Sequence, residues 1–325
     1  MAEKLPTIPL ELQPDQKDFS FDIDRALAGI VGLKAIVPDT AFTAATLGTE
    51  RLGHGIVIRQ SGLVLTMGYL VIEAETIWLR TIDGRVVQGQ ALAYDQETGF
   101  GLVQAMDSLD VPIVPFGDAS GVAPGDRVLV AGSGGRDFAL SAQIVARQEF
   151  AGYWEYLLDD ALYTAPAHPF WGGSAVLDSN GALVAVASLQ VEQGSGGRRG
   201  KSTLNMVVPI DILKPVLSDL VKYGRPNRPA RPWLGLYATE VGERLVIAGV
   251  ADEGPADKAG VETGDIVVAV ADERPKTLAD MWRRIWSLGP AGVEVSMLVE
   301  RQNRVLAVAI SSADRLLFTR APVVH

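Results

Sequence analysis

The chain has 325 residues, no cysteine, 48% hydrophobic and 21% charged residues, and a formal net charge of -10 with a pI near 4.9. This length suits two or three domains with full cores, and the absence of cysteine excludes disulfides, thiolate metal sites and a Cys nucleophile. The acidic balance argues against a nucleic-acid partner, which selects for a basic surface; the short basic run Gly196 to Lys201 reads as a solvated loop.

Residues 1–20, MAEKLPTIPLELQPDQKDFS, read as a loose, polar, proline-bearing arm. They contain no apolar stretch of the ~7–15 residues found in an export signal, and no apolar run anywhere reaches the ~18 residues of a membrane span. The expected location is cytoplasmic, or periplasmic if an export segment has been removed. Residues 21–223 then alternate short β segments with turns. GHGIVIRQSGLVLTMGYLV (Gly53 to Val71) reads strand, Ser-Gly turn, strand, and TIWLRTIDGRVVQGQALAYD (Thr76 to Asp95) reads as a hairpin about Asp83-Gly84. FGLVQAM, DRVLVAGS, LSAQIVARQEF, SAVLD and ALVAVASLQ add further strands rich in Val, Leu and Ile. Many short strands with regular turns argue for a barrel or sandwich rather than alternating β-α units.

At PIDILKPVLSDLVKYG (Pro209 to Gly224) the apolar period changes to that of a helix, with Asp211 placed to cap its start and Gly224 to end it. Residues 224–232, GRPNRPARP, read as a stiff proline-rich linker. Residues 233–315 form a smaller α+β module. Its strands are WLGLYATEV, RLVIAGV, DIVVAVADE and VEVSMLVERQNRVLAVAI, and its amphipathic helix is TLADMWRRIWSLG (Thr277 to Gly289). Residues 316–325 are a tail.

In the small module, GVADEGPADKAGVETGDIVVAVADERPKTLADM resembles the PDZ block of the HtrA proteases, S-P-A-x-x-A-G-[LIV]-x-x-G-D-x-I followed by strand, turn and helix. The larger segment resembles the same family's peptidase domain over its length. The fold this implies is mainly β: a trypsin-like double β-barrel followed by a C-terminal PDZ domain. The resemblance places a carboxylate-binding loop on Trp233, Leu234, Gly235 and Leu236. An apolar-Gly-apolar turn there leaves backbone N–H groups free for a peptide C-terminus, and the adjacent strand edge can accept the peptide as an added strand. The implied partners are peptides or protein C-termini, and family members commonly form trimers through the barrel.

The same resemblance puts the catalytic His on Tyr69 and the catalytic Asp on Gly99. HPFWGGSAVLDSNG (His168 to Gly181) lies ungapped on N-P-G-N-S-G-G-P-L-L-D-S-x-G, which places the nucleophile on Gly172. Aligning on the Gly-Gly pair places it on Trp171 instead. Phe170 falls on the glycine whose N–H would face the oxyanion. Serine-protease chemistry needs an oxygen nucleophile, a base and an orienting carboxylate, and all three positions have changed. The expected function is therefore a pseudoprotease that binds through its PDZ domain and barrel. The alternatives are an active endopeptidase with displaced residues, Ser174 as nucleophile and His168 as base, or a regulatory subunit of an active HtrA-type protease.

Three scattered histidines, His54, His168 and His325, give no metal-ligand spacing, and neither a metal nor a cofactor is expected. GSGGR (Gly132 to Arg136) lacks the Lys-Ser/Thr of a phosphate loop and reads as a barrel loop. The aromatic residues Tyr153, Trp154 and Tyr156, with Phe170 and Trp171, are expected to plug the vacated cleft; the alternative is a partner-binding surface.

Overall fold

A computed structural model describes residues 7–193 and 202–320. The basic run Gly196 to Lys201 and His325 lie outside the described residues. The chain divides into two compact units. The larger takes residues up to Gln148, Asp160–Pro226 and the segment from Arg320; the smaller takes Glu149–Asp159 and Asn227–Thr319.

The larger unit holds two closed six-stranded barrels. The first is built from β1 (Ile30–Ile36), β2 (Glu50–Arg59), β3 (Leu63–Met67), β4 (Thr76–Arg80), β5 (Val86–Tyr94) and β6 (Phe100–Ala105), in the order β1-β2-β3-β6-β5-β4. Its pattern follows period-2 burial: in β4, Ile77 and Leu79 are buried while Trp78 and Arg80 face out. The Asp83-Gly84 turn closes the β4–β5 hairpin as expected, with Thr81 N–H donating to Arg85 O at 2.9 Å. The second barrel is built from β7 (Arg127–Ala131), β8 (Ala139–Gly152), β9 (Tyr156–Ala165), β10 (Ala175–Leu177), β11 (Leu183–Gln193) and β12 (Ser202–Pro209), in the order β10-β11-β12-β9-β8-β7. Its core gathers Val128, Val130, Leu140, Ile144, Leu162, Val176 and Val207.

Two expectations are corrected here. The arm expected to be loose over residues 1–20 is packed from residue 8 on. Ile8 donates its N–H to Asp137 O at 2.8 Å and buries its side chain in the second barrel's core, and Phe19 is also buried. The helix expected over Pro209 to Gly224 splits into a 3-10 turn, Ile210–Ile212, and a helix, Leu217–Tyr223. Pro215 lacks an N–H and clashes with the carbonyl four residues back, which forbids a continuous helix. Asp211 does not cap it; its carboxylate accepts instead from Lys214 Nζ and Ser120 N. Gly224 ends the helix as expected, at φ +72°.

The smaller unit is a five-stranded antiparallel sheet, β13 (Leu236–Val241), β14 (Arg244–Val250), β15 (Ile266–Val270), β16 (Glu294–Arg301) and β17 (Arg304–Ser311), in sequence order. The helix Leu278–Ser287 is capped by Thr277 Oγ1, which accepts from Asp280 N at 3.0 Å. It buries Leu278, Met281, Trp282 and Ile285 against Leu236, Ile247, Val267 and Met297. In the tail, the Phe318 ring centroid lies 4.8 Å from that of Trp233. Trp282 is fully buried. Trp282→Ala is expected to destabilise this unit by roughly 3–5 kcal/mol, read in denaturant titration as early unfolding of the small unit ahead of the barrels.

Candidate functional site

In the larger unit the structure brings together the three positions picked out by the sequence. Tyr69 sits on the one-turn helix Gly68–Val71 that directly follows β3. Its hydroxyl donates to Ser188 O on β11 at 2.9 Å. A Cβ added to Gly172 would stand 3.1 Å from that hydroxyl, so Tyr69 and Gly172 face each other. Gly99 O accepts from Gly68 N at 2.8 Å, which puts the third position beside the first. The side chains at these positions are a phenol and two hydrogens. Tyr69 as a whole is half-buried, yet its phenol is desolvated enough to ionise well above the usual tyrosine range. Its hydroxyl serves as a hydrogen-bond donor.

The Gly-Gly turn is stitched to β2. His54 N–H donates to Gly172 O at 2.9 Å, and Thr66 Oγ1 donates to His54 O at 2.7 Å. Gly173 has φ +80°, and a Cβ there would lie 2.1 Å from His54 O, so only glycine fits. The loop's amides are turned inward. Phe170 N–H donates to His168 Nδ1 at 3.1 Å, Gly173 N–H to Ala187 O at 3.0 Å and Ser174 N–H to Trp171 O at 2.9 Å. Phe170, on the expected oxyanion position, thus spends its N–H on a side chain. Its ring lies 5.9 Å from that of Phe138, and Trp171 packs against the second barrel's core.

The displaced pair is also engaged elsewhere. His168 is fully buried and donates from Nε2 to Phe138 O at 3.0 Å, while Nδ1 accepts from Phe170. Ser174 is fully buried too, and its Oγ donates to Phe170 O at 2.7 Å. Both ring nitrogens of His168 are therefore occupied, and neither is available to take a proton from Ser174. His54 accepts from Ser133 N at 3.0 Å through Nδ1. Burial, then the neighbouring His168, lower its pKa to about 4, against a weaker opposing bond to the Phe170 backbone. Burial likewise lowers His168, against bonds to the Phe138 and Phe170 backbone.

In the smaller unit, the loop before β13 is an anion cradle. Gly235 at φ +78° turns successive amides to one side. Leu234 N–H donates to the Glu155 carboxylate at 3.1 Å, Gly235 N–H at 2.7 Å and Leu236 N–H at 2.9 Å. Trp233 stands outside the cradle. Its N–H pairs with Ala313 O at 3.0 Å and its ring packs on Phe318. The expected four-residue loop is thus reduced to three donors.

Glu155 was not among the residues singled out by sequence reasoning. It is 3% exposed. Burial pushes its pKa up to about 7, while the N–H bonds from Leu236, Leu234 and Gly235 and the charge of Arg315 pull it back. The available signal was slight: it is the only charged residue between Glu149 and Asp159, inside an aromatic turn. The aromatic residues expected to plug a cleft are divided between the two units. Trp154 stacks on Tyr156 at 5.6 Å, and Tyr153 approaches Tyr237 at 6.0 Å, all but Tyr237 lying in or next to the tip of the β8–β9 hairpin. Rings at 153–156 can reach β13 because this tip belongs to the smaller unit, whereas Phe170 and Trp171 belong to the larger.

Among the described residues, no cluster of three or more His, Cys, Asp or Glu is placed to hold a metal ion, and no helix is long and apolar enough to cross a membrane. Residues 53–186 match the family described as a trypsin-like peptidase domain, and residues 232–311 match the PDZ domain. Curated relatives include a "Probable periplasmic serine endoprotease DegP-like" of Pseudomonas putida (strain W619), 27% identical over 285 residues, covering 82% of this chain and 57% of the relative. A protein of the same description from Hahella chejuensis (strain KCTC 2396) is 25% identical over 274 residues, covering 80% and 56%. The chain thus spans little more than half the length of these relatives. Among solved structures, an HtrA-type protease, AlgW with decapeptide, superposes with TM-score 0.53 at 18% identity, covering 93% of this chain and 98% of that one. The serine endoprotease from Yersinia pestis superposes with TM-score 0.52 at 21% identity, covering 90% and 96%. With its two closed barrels followed by a five-stranded sheet and one longer helix, the chain has a trypsin-like domain followed by a PDZ domain, the fold of HtrA-type proteases.

Proposed function

We propose that the protein has lost serine-protease catalysis and works by binding, taking peptide or protein C-termini in the groove of its PDZ domain. The observation that carries this reading is the absence of a nucleophile and a base from the cluster Tyr69, Gly99 and Gly172. The inward-turned amide of Phe170 and the engaged nitrogens of His168 support it. The relatives are named endoproteases, so the reading rests on this chain's own residues. Incubation with denatured casein and labelling by a serine-reactive fluorophosphonate test it. Cleavage that Ser174→Ala abolishes would establish a displaced active site instead.

The binding half of the reading rests on the cradle of Leu234, Gly235 and Leu236, whose amides already hold a carboxylate. The relatives' names place those proteins in the periplasm. The cytoplasmic location expected from the N-terminus finds no support among them, and we assign this protein to the periplasm; fractionation of its own cells decides between the two. Self-assembly through the barrel, by analogy with the family's trimers, is checked by the molar mass in solution.

A further inference from the structure

The tip of the β8–β9 hairpin touches all three walls of the PDZ groove, within the smaller unit. At the loop, the Glu155 carboxylate takes the N–H groups of Leu234, Gly235 and Leu236. At the strand edge, Tyr153 O accepts from Ala238 N at 2.9 Å. At the helix, Trp282 Nε1 donates to Gly152 O at 3.0 Å. Leu236 and Ala238 are alternate residues of β13, so their N–H groups point to the same edge, away from the β14 pairing at Val250 and Ile247. A carboxylate at the loop plus a backbone carbonyl on the free strand edge is the pattern of an added peptide strand. Here the same groups come from mid-chain: Glu155 has φ +59°, which reverses the chain and lets a side-chain carboxylate stand in for a terminal one. At the base of the tip, Arg283 of the groove helix pairs with Glu149 at 2.5 Å and with Asp159, holding one residue on each strand. Those exposed ion pairs orient the hairpin more than they strengthen it.

We propose that residues Gly152 to Glu155 are an internal ligand of the PDZ domain, and that a peptide with a free C-terminal carboxylate enters the groove only when this tip leaves. The proposal rests on the peptide-binding reading above and adds its regulation. Each amide has one hydrogen, so the Glu155 carboxylate and an incoming carboxylate exclude each other at the cradle. Ala238 N and Trp282 Nε1 are claimed in the same way. The apparent affinity of a peptide is then its intrinsic affinity reduced by the fraction of molecules with an open groove. A tethered competitor acts at an effective concentration on the order of millimolar, which keeps that fraction small.

The test uses the full chain as wild type, Glu155→Ala and Glu155→Gln. Backbone hydrogen exchange is followed over residues 234–238. Binding is read by anisotropy with a labelled peptide mixture randomised at its last four positions, as the free acid and as the amide. In Glu155→Ala, exchange at these amides is expected to speed at least about tenfold, and the free-acid mixture to bind at least about tenfold tighter than to wild type, with no gain for the amidated mixture. Glu155→Gln keeps the shape and one acceptor oxygen and should fall between; it carries the test if Glu155→Ala does not fold. Equal exchange in wild type and variants, or measurable and equal binding of the free acid to all three, overturns the internal ligand. Faster exchange with no peptide binding in any variant supports the internal ligand and overturns the peptide-binding reading instead.

Discussion

Serine placed at position 172 is expected to leave the protein without protease activity: Gly172→Ser, like wild type, should leave denatured casein intact and remain unlabelled by a fluorophosphonate. A new Cβ at Gly172 would lie 3.1 Å from the Tyr69 hydroxyl, so the added Oγ enters a space already claimed by that phenol. Tyr69 donates to Ser188 O and, desolvated, holds its proton far above neutral pH, so it cannot take the serine's. Gly99 supplies no carboxylate, and the Phe170 amide faces His168 Nδ1 rather than a developing oxyanion. Loss of triad members alone lowers serine-protease rates by roughly 10⁴–10⁶, and losing an oxyanion donor costs about a further 10²–10³. Restoring one of these parts recovers nothing measurable, because the nucleophile works only with its base. Combined substitution of His at 69, Asp at 99 and Ser at 172 has to contend as well with the inward Phe170 amide. Cleavage by Gly172→Ser alone would show that a base operates in the cluster and would sink the binding-only reading.

The second large effect is that acidification should act on the two domains in opposite directions. His54 is a base whose folded pKa, about 4, lies below its ordinary 6.5. The unfolded chain takes the proton first, so the stability this group contributes is present above pH 6.5 and is lost as pH falls toward 4. Glu155 is an acid whose folded pKa, about 7, lies above its ordinary 4.5. The folded state holds the proton more tightly, so its contribution is complete below pH 4.5 and is lost as pH rises through 7. Each shift corresponds to about 3 kcal/mol at full extent. Calorimetry at pH 7.5 and pH 5 should therefore show the barrel transition moving down and the PDZ transition moving up on acidification. Glu155→Gln should flatten the PDZ trend and His54→Gln the barrel trend. If both transitions move the same way, the buried state of Glu155 is not what sets the small domain's pH response.

Much of the architecture was legible because it is locally encoded. Period-2 burial in β4, the Asp83-Gly84 turn and the Thr277 cap each depend on residues within a few positions of one another. The helix after residue 209 misled because its apolar spacing was read without the veto of Pro215. The N-terminal arm misled because its polar composition hid single apolar anchors, Ile8 and Phe19, whose burial needs a barrel built from distant strands. At the first site, the phenol of Tyr69 and the bare backbone of Gly99 and Gly172 are a property of residue identity, and the sequence suffices for that. How the remaining groups are spent is not: His168 meets Phe138 across 30 positions and Asn205 across 37.

The sequence by itself determined the domain order, the strand and turn pattern, the glycine that shapes the cradle, and the residue identities Tyr69, Gly99 and Gly172. These follow from composition, period and motif. Only the tertiary structure decided that the cradle holds Glu155. The carboxylate and the amides it accepts from are 79 to 81 residues apart, and hydrogen-bond partners at that separation are selected by which surfaces the folded chain brings together. Neither hydrophobic period nor turn chemistry carries that information.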